Sequence, residues 1–341
     1  MRIGIDAMGG DRAPAEEVEG ALAALELLDR QDRLVLVGDE AAILDRLNRA
    51  SGWRKKIDTR HASEVIGMAE SPVEALRAKP NSSIAVLAQM HKDGDVDACI
   101  SAGNTGAFIA AAQMHLRRLA GVHRPGISIV TPTSYGPVTV CDVGANVNCR
   151  PPHLHQYGVM ASVYAQAICG VGQPRVGLLS IGHEDAKGNE LVKRTRELLK
   201  NDEAINFIGN VEGRDLFSGV CDVVVCEGFV GNVMLKLMEG MAEGIIKAAL
   251  GELTRAMPDQ RTVAEQAASG IITKYDFNEY GGAPLLGVAG ICIICHGASD
   301  YRAIKNAVKV ARDFSKHQVN QRIVKLLSDP SARRDERLKV C

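Results

Sequence analysis

One unit recurs five times along the chain and constrains the fold more than any other feature: an apolar run, a short glycine-bearing polar loop, then a helical stretch. The apolar runs are residues 3–7, 96–100, 137–141, 175–180 and 223–226, and the loops 8–14, 101–106, 142–146, 182–190 and 227–232 follow them. Runs without polar alternation are strands buried on both faces, so this rhythm predicts a parallel sheet covered by helices on both sides. Ligands of open α/β sheets sit outside the carboxyl ends of the strands, and the five loops are therefore expected to converge on one crevice.

Between these units the same logic places a helix over about 14–30, a strand at 34–37, a helix over about 41–50 and a strand near 57–61. Two more helices open at Ser71-Pro72 and at Asn81-Ser82-Ser83. Strands at 126–130 and 137–141 face each other across a turn, and a long helix runs from about 153 to 169. Helical spacing of apolar residues over 241–257 and again over 264–272, broken at Pro258-Asp259, predicts a helical hairpin at about 241–273. Residues 281–284 restart the sheet, 288–295 make a last buried strand, and a helix follows from about Asp300. With no long linker, the 341 residues are expected to form one domain.

Among the loops, Ser101-Ala102-Gly103-Asn104-Thr105-Gly106 has the make-up of an anion site. The first N–H groups of a helix lack acceptors and carry partial positive charge; Gly103 and Gly106 allow close approach, and Ser101, Asn104 and Thr105 add donors. The same residue types are also ordinary helix caps. Around it stand Asn146, Asn189 and Asn232, the cations Lys187 and Lys236, and His296 at the end of the last strand, a set suited to binding an oxyanion and polarising a carbonyl. The loop Asp6-Ala7-Met8-Gly9-Gly10-Asp11 has the glycines of an anion loop, but its carboxylates would repel pyrophosphate unless they cap backbone donors or meet another part of the ligand.

Several chemistries are excluded or disfavoured. A net charge of -1 provides no overall field for nucleic acid. No P-loop, dinucleotide fingerprint or nucleophile elbow occurs. Cys292-Ile293-Ile294-Cys295-His296 matches a haem-attachment string, but it lies in an apolar strand whose period of two sends its cysteines to opposite faces. His153 and His155 lack a ligand set of metal spacing. The nine cysteines are scattered and suit a reducing cytosol, and no stretch reaches the 18 consecutive apolar residues that would suggest a membrane span.

The opening Met1-Arg2-Ile3-Gly4-Ile5-Asp6-Ala7-Met8-Gly9-Gly10-Asp11, the 101–106 loop, Asp142-Val143-Gly144-Ala145-Asn146, Lys187-Gly188-Asn189-Glu190, Gly209-Asn210-Val211-Glu212-Gly213-Arg214-Asp215, Glu227-Gly228-Phe229-Val230-Gly231-Asn232 and Gly281-Gly282-Ala283-Pro284-Leu285-Leu286-Gly287 follow one another in a fixed order. In that order they resemble the successive motifs of the bacterial phosphate acyltransferase family, the acyl-ACP:phosphate transacylases of phospholipid synthesis. His183 stands where the family commonly has an acidic residue, and Arg12 where it commonly has His.

The resemblance implies transfer of a long-chain acyl group from acyl carrier protein to inorganic phosphate, supplying acyl phosphate to a membrane glycerol-3-phosphate acyltransferase. It also implies a Rossmann-like three-layer α/β/α fold akin to isocitrate and isopropylmalate dehydrogenases with the helical hairpin inserted, a homodimer, no cofactor or metal, and a cytoplasmic protein attached peripherally to the membrane. The expected phosphate and acyl site is Asp6, Gly9, Gly10, Asp11, Ser101, Gly103, Asn104, Thr105, Gly106, Asn232 and Lys236, with Lys187, Asn189, Asn146 and His296 as the catalytic set. Arg117, Arg118 and Arg124 are the expected docking charges for the acidic carrier protein, although basic residues at a helix end also complement its dipole. The hairpin has three readings, as core, as dimer contact or as lipid-binding surface. A dehydrogenase using the same crevice and a non-catalytic carrier-protein scaffold are the alternative functions.

Overall fold

A computed structural model describes residues 1–256, 262–263, 265–266 and 281–328. Among the described residues eleven strands form one sheet: β1 Arg2–Asp6, β2 Arg33–Gly38, β3 Ile57–His61, β4 Ala98–Ser101, β5 Gly126–Thr131, β6 Val138–Cys141, β7 Arg175–Leu179, β8 Asn206–Val211, β9 Val223–Val225, β10 Ala283–Leu286 and β11 Cys292–Ile294. Their order is β3-β2-β1-β4-β11-β10-β5-β6-β9-β7-β8. The helices are α1 Ala15–Ala23, α2 Glu40–Leu47, α3 Pro72–Ala78, α4 Ser83–Lys92, α5 Thr105–His115, α6 Pro151–Ile168, α7 Glu190–Lys200, α8 Gly228–Ala256, α9 Tyr301–Lys316 and α10 Val319–Ser328.

Alternate residues of one strand enter different apolar clusters, which shows that helices cover both faces. Val35 and Val37 pack with α4 and α5, whereas Leu34 and Leu36 pack with α1, α2 and α9. In the other half of the sheet Val224 joins the first cluster, while Val223 and Val225 pack with α6. The loop residues that end each turn of the rhythm also start the helices. Asp39, Ser82, Asn104, Asn189 and Asp300 each accept a backbone N–H at the N-terminus of α2, α4, α5, α7 and α9, satisfying donors that the helix leaves open.

The sheet is mixed, not parallel as the apolar runs alone predict. The pairs β11/β10, β10/β5 and β5/β6 are all antiparallel. Three reversals in succession turn the block β6-β9-β7-β8 opposite to the block β3-β2-β1-β4-β11, each block being parallel within itself. Burial on both faces follows from the helices and says nothing about strand direction.

Other boundaries differ too. The first helix ends at Ala23 and continues only as a 3₁₀ turn, Ala24–Leu27. The expected last strand is confined to Cys292–Ile294, with Val288 in an isolated bridge to Arg118. Strand β8, whose Ile208 is exposed at the sheet edge, and helix α10 were not expected. The first arm of the expected hairpin is the continuation of the helix that opens at Gly228, and its second arm, with Met257, falls almost wholly outside the described residues. No described helix is long and apolar enough to cross a membrane.

Candidate active site

A cavity of about 710 Å³ lies over the central strands, between α5 and α8. Asp11, Gly103, Thr105 and His296 reach it from the carboxyl ends of β1, β4 and β11; Gly144 and Asn232 reach it from those of β6 and β9. Ile127 and Ile129 of β5, Ile109 of α5 and Leu235 of α8 form an apolar wall between these groups. The loops thus meet across the reversal of the sheet rather than along one edge.

The β1 and β4 loops lock together behind the cavity. Asp6 is fully buried at the end of β1, where its Oδ2 accepts the Ser101 hydroxyl at 2.7 Å and its Oδ1 accepts Met8 N at 3.1 Å. Burial raises its carboxyl above the ordinary range, against the pull of hydrogen bonds from Ser83, Ser101 and Met8. Ser101 Oγ also accepts Gly103 N at 3.1 Å. Any Cβ on Gly9 would stand 2.5 Å from Gly103 N, so glycine there is a condition of the contact. Gly10 N donates to Glu17 Oε1 at 3.1 Å. Asn104 is equally occupied: its Oδ1 caps α5 through Ala107 N, and its Nδ2 donates to the carbonyls of Gly67, Met68 and Glu70.

The side chains of Ser101 and Asn104 are thus engaged in framework bonds and do not line the cavity. What the 101–106 loop presents to the cavity is Gly103, Thr105 and Gly106. The N–H groups of Thr105 and Gly106 are the first two of α5, and intrahelical bonding provides them no acceptor.

A second knot forms behind the other end. Asp142, fully buried, accepts Ile127 N, Gly144 N and Ala145 N at Oδ1 and Asn146 N at Oδ2, all within 3.0 Å. Burial still raises its carboxyl above the ordinary range. Asn146 Nδ2 donates to Pro125 O at 2.6 Å and to Tyr157 Oη at 2.9 Å, so this side chain ties β5 and α6 together and does not line the cavity. The first turn of α8 presses on the same loop, since a Cβ at Gly231 would lie 1.9 Å from Asp142 O. This contact holds Asn232 against Gly144, and Lys236, one turn on, lines the same wall. Among the described residues neither side chain has a hydrogen-bond partner or ion pair.

His296 accepts Ala298 N at its Nδ1, 3.2 Å away, which leaves Nε2 as its donor. Its neighbour Cys295 also lines the cavity, but burial pushes that thiol up to about 12, so it is held protonated and is a poor nucleophile.

Of the expected set, Asp11, Gly103, Thr105, Gly106, Asn232, Lys236 and His296 line the cavity; Asp6, Gly9, Gly10, Ser101, Asn104 and Asn146 support it from behind. Lys187 and Asn189 are not in its wall. They are exposed on the loop after β7, the strand beside β9, where Asn189 caps α7 through Val192 N at 3.0 Å. On the same loop His183 pairs with Asp215 at 2.6 Å, a contact that raises the imidazole's affinity for a proton. Arg118 and Arg124 line a separate pocket, and Arg117 lines neither. Gln113, Glu239 and Ser299 belong to the cavity without any sequence signal, because only packing aims them there.

The family model described as fatty acid synthesis protein matches residues 1–322. A phosphate acyltransferase of Pelotomaculum thermopropionicum is 49% identical over 315 residues, covering 92% of this chain and 91% of that protein. One of Geobacter sulfurreducens is 46% identical over 325 residues, covering 95% and 93%. Among solved structures, a phosphotransacetylase from Streptococcus pyogenes superposes with a TM-score of 0.61 at 14% identity, covering 92% of this chain and 94% of that one, which is a likeness of fold. The chain belongs to the fatty acid synthesis protein family and, within it, to the phosphate acyltransferases.

Proposed function

We propose that the protein moves a long-chain acyl group from acyl carrier protein to inorganic phosphate by direct attack of bound phosphate on the thioester. The observation that carries this reading is the cavity itself: an apolar wall beside an open helix N-terminus, with a lysine, an asparagine amide and an imidazole N–H, and a cysteine held as thiol. In this reading the N–H groups of Thr105 and Gly106, the Thr105 hydroxyl and Lys236 hold phosphate. A phosphate oxygen forms a bond to the acyl carbonyl carbon, Asn232 stabilises the oxyanion, and the carbon–sulfur bond breaks. The departing thiolate, whose conjugate acid has a pKa of about 8.5, takes a proton with help from His296. Phosphate is already an anion at neutral pH, so positioning does most of the work and no covalent enzyme intermediate is needed.

Lys187 remains part of the proposal as a cation on the loop next to that of Asn232, among the described residues without an ion pair. The product would pass to a membrane glycerol-3-phosphate acyltransferase, from a cytoplasmic homodimer held peripherally at the membrane. The finer fold assignment, Rossmann-like and close to isocitrate and isopropylmalate dehydrogenases, rests on the sequence resemblance. Incubation of the purified protein with palmitoyl carrier protein should release thiol only when phosphate is present. Phosphate-independent release, or none, would overturn the reading; reduction of a nicotinamide cofactor would favour a dehydrogenase, and carrier binding without transfer a scaffold.

A further inference from the structure

A second pocket, of about 670 Å³, is walled by Arg118, His123, Arg124, Asn148, Arg150 and His153, with Cys149 and Pro152. Among the described residues no carboxylate lines it. Arg118 is held by donating to the His123 carbonyl, and among the described residues Arg124 and Arg150 have no ion pair. His153 Nδ1 accepts Arg150 N at 3.1 Å, leaving Nε2 as a donor. Three guanidiniums around one concavity repel one another unless a compact anion joins them, the two imidazoles can add N–H donors, and guanidinium is the side chain that matches phosphate oxygens in pairs. The His153 imidazole is held below its ordinary proton affinity, first by burial and then by Arg124, His123 and Arg150, an independent sign of concentrated positive charge.

The pocket's position follows from the reversal of the sheet. Because β5 runs antiparallel to β6, the segment entering β5 lies beside the loop leaving β6, and Asn146 ties the two through Pro125 O. One loop therefore serves both concavities: Gly144 and Ala145 line the cavity, and Asn148 to Arg150 line the pocket. Three residues from Ala145 to Asn148 span at most about 11 Å.

We infer that this pocket binds a phosphate group carried by the acyl thioester donor, at the far end of the arm whose sulfur enters the cavity. The inference rests on the acyl-transfer reading above and sharpens the expected docking charges. Arg150 and the two histidines join Arg118 and Arg124, while Arg117, outside the pocket, drops out. A pocket suits a compact phosphate better than the spread carboxylates of an acidic protein surface.

Three donors with the same acyl chain test it: palmitoyl carrier protein, palmitoyl-coenzyme A and palmitoyl-pantetheine, which has no phosphate. In an R124A/R150A variant, the ratio of kcat/KM for a phosphate-bearing donor to that for palmitoyl-pantetheine should fall at least tenfold. A fall for coenzyme A alone identifies nucleotide phosphates as the ligand; a fall for both identifies the phosphate at the end of the pantetheine arm. An unchanged ratio overturns the inference. If the wild-type protein transfers from none of the three, the acyl-transfer reading fails instead. Calorimetric titration then decides the pocket on its own: tighter binding of coenzyme A than of pantetheine, lost in the variant, supports it, and equal binding refutes it.

Discussion

Glu17 carries a free-energy cost at neutral pH. It is buried on α1 beneath the 8–14 loop, with Oε1 accepting Gly10 N and Oε2 without a partner among the described residues. Burial, with some repulsion from Asp6, pushes its carboxyl from an ordinary 4.5 up to about 7. The native state therefore holds a proton that the unfolded chain releases between these values, and stability falls as pH rises through that window. Asp6, raised for the same reason, acts in the same direction. A Glu17→Gln protein should match the wild type in urea unfolding at pH 4 and exceed it at pH 8 by on the order of 3 kcal/mol; equal stability at both would show that the folded carboxyl is not raised. At the candidate site, Lys236→Ala should raise the KM for phosphate, and Lys187→Ala should cut turnover on the order of a hundredfold, the scale of one lost electrostatic donor. Near-normal turnover in a folded Lys187→Ala protein would remove that loop from the chemistry. The distant partners of Ser101, Asn104 and Asn146 could not be read beforehand: Asp6 lies 95 residues from Ser101, and Gly67 lies 37 from Asn104.

Helix α8 joins two environments in one element. Its first turn is wedged against the Asp142 loop, while its later turns are exposed. Gly231→Ala should destabilise the protein by about 1–3 kcal/mol and displace Asn232, because the new methyl meets a backbone carbonyl that the Asp142 knot holds in place. A Cβ at Gly240, in the same helix, meets nothing within 4 Å, and Gly240→Ala should instead stabilise by about 0.5–1 kcal/mol. Thermal unfolding of the pair reads both signs, and the same sign in both would contradict the packing described. At the distal end Leu253 is exposed. Lipid sedimentation of a variant with Leu253 and Met257 changed to Glu should fall if this end meets the membrane, and unchanged sedimentation would count against lipid binding.

At the scale of the molecule, Phe229, Val233, Leu237, Met241 and Ile245 recur every four residues along α8 and are 52–62% exposed. An apolar stripe of this length on a helix is more than scattered surface leucines, and a second copy of the chain is the proposed cover. Light scattering should then report a dimer for the wild type and a monomer for Leu237→Glu combined with Ile245→Glu; an unchanged mass would place the contact elsewhere. The same scale explains the cavity. The opposed blocks of strands put an apolar floor of β5 between two sets of polar loops, so one concavity offers both an apolar surface and polar groups.

The sequence by itself determined the strand–loop–helix rhythm, most helix starts and the family, because capping residues act within three or four positions and motif order survives any packing. It also named seven of the residues that line the cavity. The direction of half the sheet, the occupation of Ser101, Asn104 and Asn146 by framework bonds, the place of Lys236 in the cavity wall and the separation of Lys187 from it were decided only by the tertiary structure. Each depends on contacts between residues distant in the chain. A polar side chain at a strand end can close a knot or meet a ligand, and only its neighbours in space choose between them.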